Sequence, residues 1–144
     1  MFSDEVLIGY LSLLEKKLLE DYDIVVDYIE NSSGNYYYYE EGIIEIGQLQ
    51  SLIGKLYSLL HEAGHVILSE TEFFTLRKSN LKRYRRSYRV NVLREEFMAW
   101  ERGRNYGYEI GIQIDPKVWE KHRVESLFKY IVWANDPINY KPPK

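Results

Sequence analysis

The chain has 144 residues, which is about the length of one domain and too short for two independent hydrophobic cores. Apolar residues make up 45% and charged residues 28% of the chain, values that exclude a disordered or fibrous protein. There is no cysteine, so disulfides and thiolate metal sites are excluded and a bound metal would have to rest on His, Asp or Glu. We therefore expect one domain spanning residues 1–144.

The charge is unevenly distributed along the chain. The net charge is -3, yet residues 77–94 hold eight of the 19 basic residues and no acidic residue. The N-terminal stretch MFSDEVLIGYLSLLEKK lacks the basic start of a signal peptide, and charged residues interrupt every apolar run. We predict a cytoplasmic protein without a membrane-spanning segment.

The first third of the chain predicts one helix and three strands. Ser3 can cap a helix whose apolar residues recur at helical spacing to about Asp21. The runs DIVVDYI, NYYYY and GIIEIG are rich in β-branched and aromatic residues, which is typical of short strands. Glu40, Glu41 and Gly42 separate the last two runs and predict a hairpin turn.

Three further helices are expected in the remaining sequence. Apolar residues return to a helical period from 48 to about 68, and again from about 90 to 106, where Gly103 or Gly107 is expected to close the helix. Between these two helices, the basic residues are expected to form a loop that can include a helical turn. The last helix is predicted to begin at Pro116 with Asp115 as its cap. The pattern indicates an α+β fold: a helix, a small three-stranded sheet with a hairpin, and three helices.

The sequence HEAGH, at residues 61–65, lies in the second of the predicted helices. Residues four apart share one face of a helix, so His61 and His65 can both direct a ring nitrogen at one metal ion. Glu62 is rotated by about 100° from His61, close enough to act on a metal-bound water without being a ligand. The pattern predicts metal-assisted hydrolysis with Glu62 as general base. The alternative is a hydrogen-bonded histidine pair on a core helix.

A catalytic zinc ion needs a third protein ligand, and helical periodicity favours Glu96. Glu96 falls inside the apolar arc of its predicted helix, where a carboxylate requires a cation, whereas Glu95 falls outside the arc and is expected to face solvent. The alternative for Glu96 is a buried salt bridge to Arg89 or Arg123. His122 is the only other histidine and is expected to be a solvated surface residue.

These residues resemble the gluzincin arrangement of zinc metallopeptidases, in which a glutamate on the next helix follows the HExxH motif. Glu96 lies 31 residues after His65 and begins the pattern Glu-x-x-Ala-Trp. Over about residues 42–107 the order of elements is similar to the ImmA/IrrE-like peptidase domains and to small phage-encoded metallopeptidase-like proteins, a minimal zincin-like domain. The resemblance implies one Zn²⁺ ion held by His61, His65 and Glu96, and hydrolysis of peptide bonds in a protein substrate.

The sequence departs from that family pattern in two places. Trp100 stands where larger gluzincins often have an aspartate that orients the first histidine, so we expect Glu101 or a backbone carbonyl group to take that role. The stretch FMAWERGRNYG also lacks the Phe-Ala and leucine-rich run with proline that is common in ImmA/IrrE proteins. The subfamily therefore stays open.

The resemblance further implies that the strand before the HExxH helix offers a free edge to an extended substrate. Gly42, Ile43, Ile44 and Glu45 occupy that position and would offer their backbone groups. The side chains of Ile43, Ile44 and Ile46 are at least equally expected in the core. The tyrosines at 36–39 should alternate between the two faces of the sheet, either as packing at a wet surface or as substrate contacts.

A second hypothesis rests on the basic residues. Arg83, Arg85, Arg86 and Arg89 are interspersed with Tyr84 and Tyr88, a composition typical of surfaces that bind nucleic acid. On this hypothesis the protein is a nucleic-acid or protein binding module, and HEAGH holds a structural metal or none. A solvated loop that balances the acidic remainder of the chain is the simpler interpretation.

Overall fold

In the residues that the structure describes, the fold combines four helices with a small mixed sheet. The computed structural model describes residues 2–71 and 85–143, and within these ranges the helices and strands occur in the order predicted, which confirms the α+β class. We number them α1 (Asp4–Tyr22), β1 (Val25–Ile29), β2 (Asn35–Tyr38), β3 (Ile43–Gly47), α2 (Leu52–Ser69), α3 (Arg86–Glu109) and α4 (Pro116–Asn135). No helix in the described ranges is long and apolar enough to cross a membrane.

The predicted helix caps are confirmed by their hydrogen bonds. The Ser3 side chain accepts from the backbone N–H of Val6 at the start of α1. At the start of α4, Asp115 Oδ1 accepts from Lys117 N at 2.9 Å and Val118 N at 3.3 Å. Short side-chain acceptors thus satisfy N–H groups that the first helical turn leaves without partners.

The sheet has the strand order β1-β3-β2, so β3 lies in its centre. The predicted hairpin is confirmed, since β2 pairs antiparallel with β3 and Gly42 turns the chain with a φ of 67°. Parallel pairing with β1 occupies the other edge of β3. The prediction of a free edge at Gly42, Ile43, Ile44 and Glu45 is therefore wrong: both sides of this strand are paired within the sheet.

The core lies between the sheet and the helices. Ile44 and Ile46 of β3 are fully buried, together with apolar residues of α1 and α2. A smaller cluster of Val92, Tyr130 and Trp133 joins the start of α3 to the end of α4. Burial of this apolar surface is the main source of stability that fixes the positions of α2 and α3.

Two glycines set the distance between α2 and α3, which pass each other in opposite directions. A Cβ atom on Gly64 would lie 1.9 Å from the carbonyl oxygen of Ala99, and one on Gly103 would lie 2.0 Å from that of Leu60. Neither position has room for a side chain. The prediction that Gly103 or Gly107 ends the helix is wrong, because α3 continues to Glu109 and both glycines are buried within it. The same prediction placed the start of the helix near Val90, one turn after the observed start at Arg86.

Candidate metal centre

The HEAGH motif lies in the buried second half of α2. His61 and His65 are each 8% exposed, and their Nε2 atoms are 3.2 Å apart. Their spacing of four residues places the rings on one face of the helix, as predicted. The two imidazole groups therefore converge on one point between α2 and α3.

Glu96 reaches the same point from α3. Its Oε2 atom is 2.9 Å from His61 Nε2, and its Oε1 atom is 3.2 Å from His65 Nε2. Glu96 is 2% exposed, so its predicted inward orientation is confirmed. The alternative of a salt bridge to Arg123 does not hold, because that guanidinium pairs with Glu120, with 2.9 Å between Arg123 Nε and Glu120 Oε2.

The spacing of the three groups fits a tetrahedral zinc ion. With metal–nitrogen distances of about 2.0–2.1 Å, tetrahedral geometry places neighbouring donor atoms about 3.3–3.4 Å apart. The observed separations of 2.9–3.2 Å are close to this value, with Glu96 facing His61 through Oε2 and His65 through Oε1. Two imidazoles and one carboxylate are also a donor set that zinc accepts. The residues present therefore fit the metal that the sequence pattern predicts.

The electrostatics of the cluster favour positive charge at its centre. Burial opposes protonation of His65, but the charge of Glu96 and hydrogen bonds with Glu95 and Glu96 outweigh it and hold the pKa of His65 well above its usual range. Burial likewise disfavours the charged form of Glu96, yet His65 and His61 hold the pKa of Glu96 well below its usual range. A proton on His65 can supply this charge, and a divalent cation can replace it.

Glu62 lies beside the candidate metal position without being part of the donor set. Its Oε1 atom is 3.8 Å from His61 Nδ1, beyond hydrogen-bonding distance, and the side chain lines the adjoining cleft. Burial raises the pKa of the Glu62 carboxyl, and the nearby histidines lower it by less. A carboxylate with a raised pKa is better matched to proton transfer near neutral pH.

Glu95 is buried beside His65, contrary to its predicted position on the solvent side of α3. It was expected to face solvent, but it is 3% exposed and its Oε1 atom lies 2.9 Å from His65 Nδ1. The apolar arc of α3 did not predict this burial, because the partner of Glu95 is a polar group on another helix. The only sequence signal was its position next to Glu96.

Besides its contact with Glu96, the His61 ring is held by an aromatic side chain. The rings of Trp100 and His61 are stacked with centroids 4.5 Å apart and an angle of 12° between their planes. The prediction that Glu101 orients a histidine is not supported, since Glu101 is exposed. Trp100 packs in turn against Trp119, which ties the orientation of His61 to the core.

A cleft of about 760 Å³ opens onto these residues. The edge of β2 and the following turn form one wall, and His122, Glu125, Ser126 and Lys129 of α4 form the other. The expectation of a solvated His122 is wrong: it is half-buried against Tyr57, with ring centroids 5.4 Å apart, and burial lowers its pKa. Such a volume is within the range of ligand-binding clefts.

The tyrosines of β2 alternate as predicted. Tyr36 contacts Tyr38 on one face, with ring centroids 4.7 Å apart, and Tyr37 contacts Tyr39 on the other at 6.3 Å. Within the described residues no strand pairs with the outer edge of β2, which faces the cleft. The sheet edge that an extended peptide in the cleft could pair with is therefore that of β2.

A hydrogen-bond network anchored on Gln50 fixes the start of β2 against α2. Gln50 Nε2 donates to Asn35 Oδ1 at 2.6 Å and to the carbonyl oxygen of Gly47 at 3.0 Å. The hydroxyl group of Ser58 donates to Gln50 Oε1 at 2.8 Å. One side chain thus joins β2, β3 and α2 on the floor of the cleft.

Removing this network should loosen the wall of the cleft. We expect Gln50→Ala to lower the free energy of unfolding by about 1–2 kcal/mol, because several partly buried polar groups lose their partner. Urea denaturation measures the change. Gln48→Ala is the matched control, because Gln48 is exposed and only two residues away, and it should change stability by less than about 0.5 kcal/mol. Equal destabilisation by both variants would contradict the role of Gln50.

The residues of the nucleic-acid hypothesis are only partly described. Arg83 lies outside the described ranges, Arg85 and Arg86 are exposed at the start of α3, and Arg89 is partly buried in its first turn. The nucleic-acid contact stays a prediction, and affinity that falls steeply with added salt would support it.

Comparison with known protein families, with curated proteins and with solved structures found no match for this chain.

Proposed function

We propose that the protein is a zinc-dependent metallopeptidase of the gluzincin type, with His61, His65 and Glu96 as the metal ligands. The observation that carries this proposal is the convergence of His61 Nε2, His65 Nε2 and the buried Glu96 carboxylate, whose Oε2 and Oε1 atoms lie 2.9 Å and 3.2 Å from these two nitrogens. A further buried carboxylate, that of Glu62, lies beside them at the edge of a cleft. Absence of cysteine also supports a cytoplasmic location, since nothing in the chain requires an oxidising compartment.

The proposed chemistry divides between the metal and Glu62. A zinc ion held by His61, His65 and Glu96 would supply Lewis acidity, to polarise a peptide carbonyl group and to make water a stronger acid. Glu62 takes a proton from the attacking water on its carboxylate and returns it to the nitrogen of the leaving amine. Burial of Glu62 supports this role, because its raised pKa favours release and capture of a proton near neutral pH.

The proposed substrate is an extended segment of a polypeptide. A peptide that pairs with the outer edge of β2 would lie in the cleft between this strand and α4, beside Glu62. Backbone hydrogen bonds along a strand bind many sequences, so this mode of binding requires little sequence preference.

Metal analysis of the purified protein tests the proposal most directly. We expect one zinc ion per wild-type chain after zinc supplementation, and loss of stoichiometric zinc in His61→Ala, His65→Ala and Glu96→Ala, since each removes one of three ligands. His122→Ala is the matched control because it removes the remaining histidine, which is outside the donor set. Plasma emission spectrometry on dialysed protein gives the stoichiometry.

Two results would contradict the metal site. A wild-type protein without stoichiometric zinc would remove the basis of the proposal. Zinc that is retained in His61→Ala but lost in His122→Ala would assign the metal to other residues.

A further inference from the structure

Both ring nitrogens of His65 face polar atoms, and the two sides differ in chemistry. Nδ1 lies 2.9 Å from Glu95 Oε1. Nε2 lies 3.2 Å from Glu96 Oε1 and 3.2 Å from the Nε2 atom of His61. A neutral imidazole carries its proton on only one nitrogen, so the position of that proton decides which side can bind a metal.

We propose that Glu95 is a positioning residue that holds the ring proton of His65 on Nδ1 and thereby leaves Nε2 available to zinc. This role rests on the proposed function, because it assumes that the cluster binds a metal. Glu95 itself stays outside the donor set.

The reason lies in the hydrogen-bonding capacity of each partner. An ionised carboxylate only accepts hydrogen bonds, so Glu95 requires a proton on Nδ1 of His65. Without Glu95, the carboxylate of Glu96 would favour the proton on Nε2, where the lone pair is needed for the metal. Glu95 opposes this arrangement from the other side of the ring.

The charge of Glu95 adds to the effect of its geometry. Glu95 is 3% exposed, so its interaction with the imidazole is poorly screened by water. A buried carboxylate that accepts from a metal-binding histidine raises the basicity of the ligand nitrogen, and loss of such a partner typically costs about 10- to 100-fold in metal affinity.

His61 provides an internal contrast. Its Nε2 atom faces Glu96, while Nδ1 lies 3.8 Å from the nearest Glu62 oxygen, and its ring is oriented by stacking on Trp100. Nδ1 of His65 thus lies within hydrogen-bonding distance of a carboxylate, whereas Nδ1 of His61 lies 3.8 Å from one. The Nδ1 protons of the two histidines can therefore be compared within one sample.

Zinc affinity measured by competition with a chromophoric chelator provides the first test. Glu95→Gln keeps the size of the side chain and removes its charge, and we expect it to raise the dissociation constant for zinc by about 10- to 100-fold. Glu101→Gln is the control, because it removes the same charge from an exposed position on the same helix and should leave the constant within about twofold of wild type. Equal dissociation constants for Glu95→Gln and wild type would overturn the proposal.

NMR spectroscopy of zinc-loaded wild-type protein provides a second test that does not depend on the folding of a variant. Long-range ¹H–¹⁵N spectra should show the His65 proton on Nδ1, shifted downfield and slower to exchange with water than the Nδ1 proton of His61. In Glu95→Gln the difference between the two protons should shrink. Metal coordination through Nδ1 of His65 would overturn the proposal.

The two proposals fail in different ways. Zinc binding by the wild type with unchanged affinity in Glu95→Gln would remove the positioning role and leave the metallopeptidase proposal intact. Absence of zinc binding by the wild type would overturn both.

Discussion

Replacement of Glu62 by glutamine is expected to abolish peptide cleavage while leaving the zinc content unchanged. Glutamine has nearly the same size and can occupy the same buried position, but it cannot take a proton from water. Loss of a general base typically lowers a rate by about 10²- to 10⁴-fold, and Glu62 is proposed to act twice, as base and then as acid. We expect a loss near the upper end of this range, measured as kcat/KM on a library of quenched-fluorescent peptides.

Zinc analysis of the same Glu62→Gln sample separates catalysis from metal binding. One zinc ion per chain should remain, because Glu62 is outside the donor set. Glu101→Gln is the control for the loss of one negative charge and should cleave at the wild-type rate, since Glu101 is exposed and belongs neither to the donor set nor to the lining of the cleft. Wild-type cleavage by Glu62→Gln would show that this residue is not the base.

Helical periodicity was sufficient to predict the orientation of the three candidate ligand side chains. His61 and His65 lie on one face because a helix turns by about 100° per residue. The inward orientation of Glu96 was predicted from the same periodicity, because Glu96 falls in the apolar arc of its helix. A carboxylate buried there requires a cation as its partner. Both predictions depend on residues within one helix, and the structure confirms the orientation of each.

The surroundings of the site depend on contacts between different helices. The local sequence pattern does not show which residues of two helices will meet. Glu95 is buried because His65, 30 residues earlier, meets it from α2. Gly103 was interpreted as the end of a helix because glycine often ends one, whereas here it allows the backbone of Leu60 to approach. In both cases a contact with a residue distant in sequence determined the structure, so the local pattern predicted the wrong environment for Glu95 and the wrong helix end at Gly103.

The sheet shows the same division between local and distant pairing. The hairpin of β2 and β3 was predicted from a turn of neighbouring residues, and it is present. The parallel pairing of β1 with β3 joins residues such as Val26 and Ile44, and no turn signal marks it. Because β1 occupies the second edge of β3, a peptide in the cleft could pair only with the outer edge of β2. The proposed position of the substrate therefore differs from the predicted one, although all three strands were predicted.

Introduction of a methyl group at Gly64 is expected to separate the two helices that hold the candidate ligands. The added Cβ would lie 1.9 Å from the carbonyl oxygen of Ala99, so the backbones of α2 and α3 must move apart. Overpacking of a core typically costs about 1–3 kcal/mol, and a clash between two backbones should reach or exceed the upper value. This cost outweighs the gain of about 0.5–1 kcal/mol that alanine normally brings to a helix. We therefore expect Gly64→Ala to lower the free energy of unfolding by about 3 kcal/mol, measured by urea denaturation.

The matched control is Gly9→Ala on the exposed face of α1. A Cβ atom on Gly9 meets nothing within 4 Å, so the same substitution should stabilise the protein by about 0.5–1 kcal/mol. Changes of opposite sign in the free energy of unfolding would show that the cost at Gly64 comes from close packing of the helices and not from helix propensity. Gly64→Ala should also weaken zinc binding, because His65 is adjacent on α2 and Glu96 lies on the helix that must move. Wild-type stability together with wild-type zinc affinity in Gly64→Ala would contradict the close approach of α2 and α3, on which the convergence of His61, His65 and Glu96 depends.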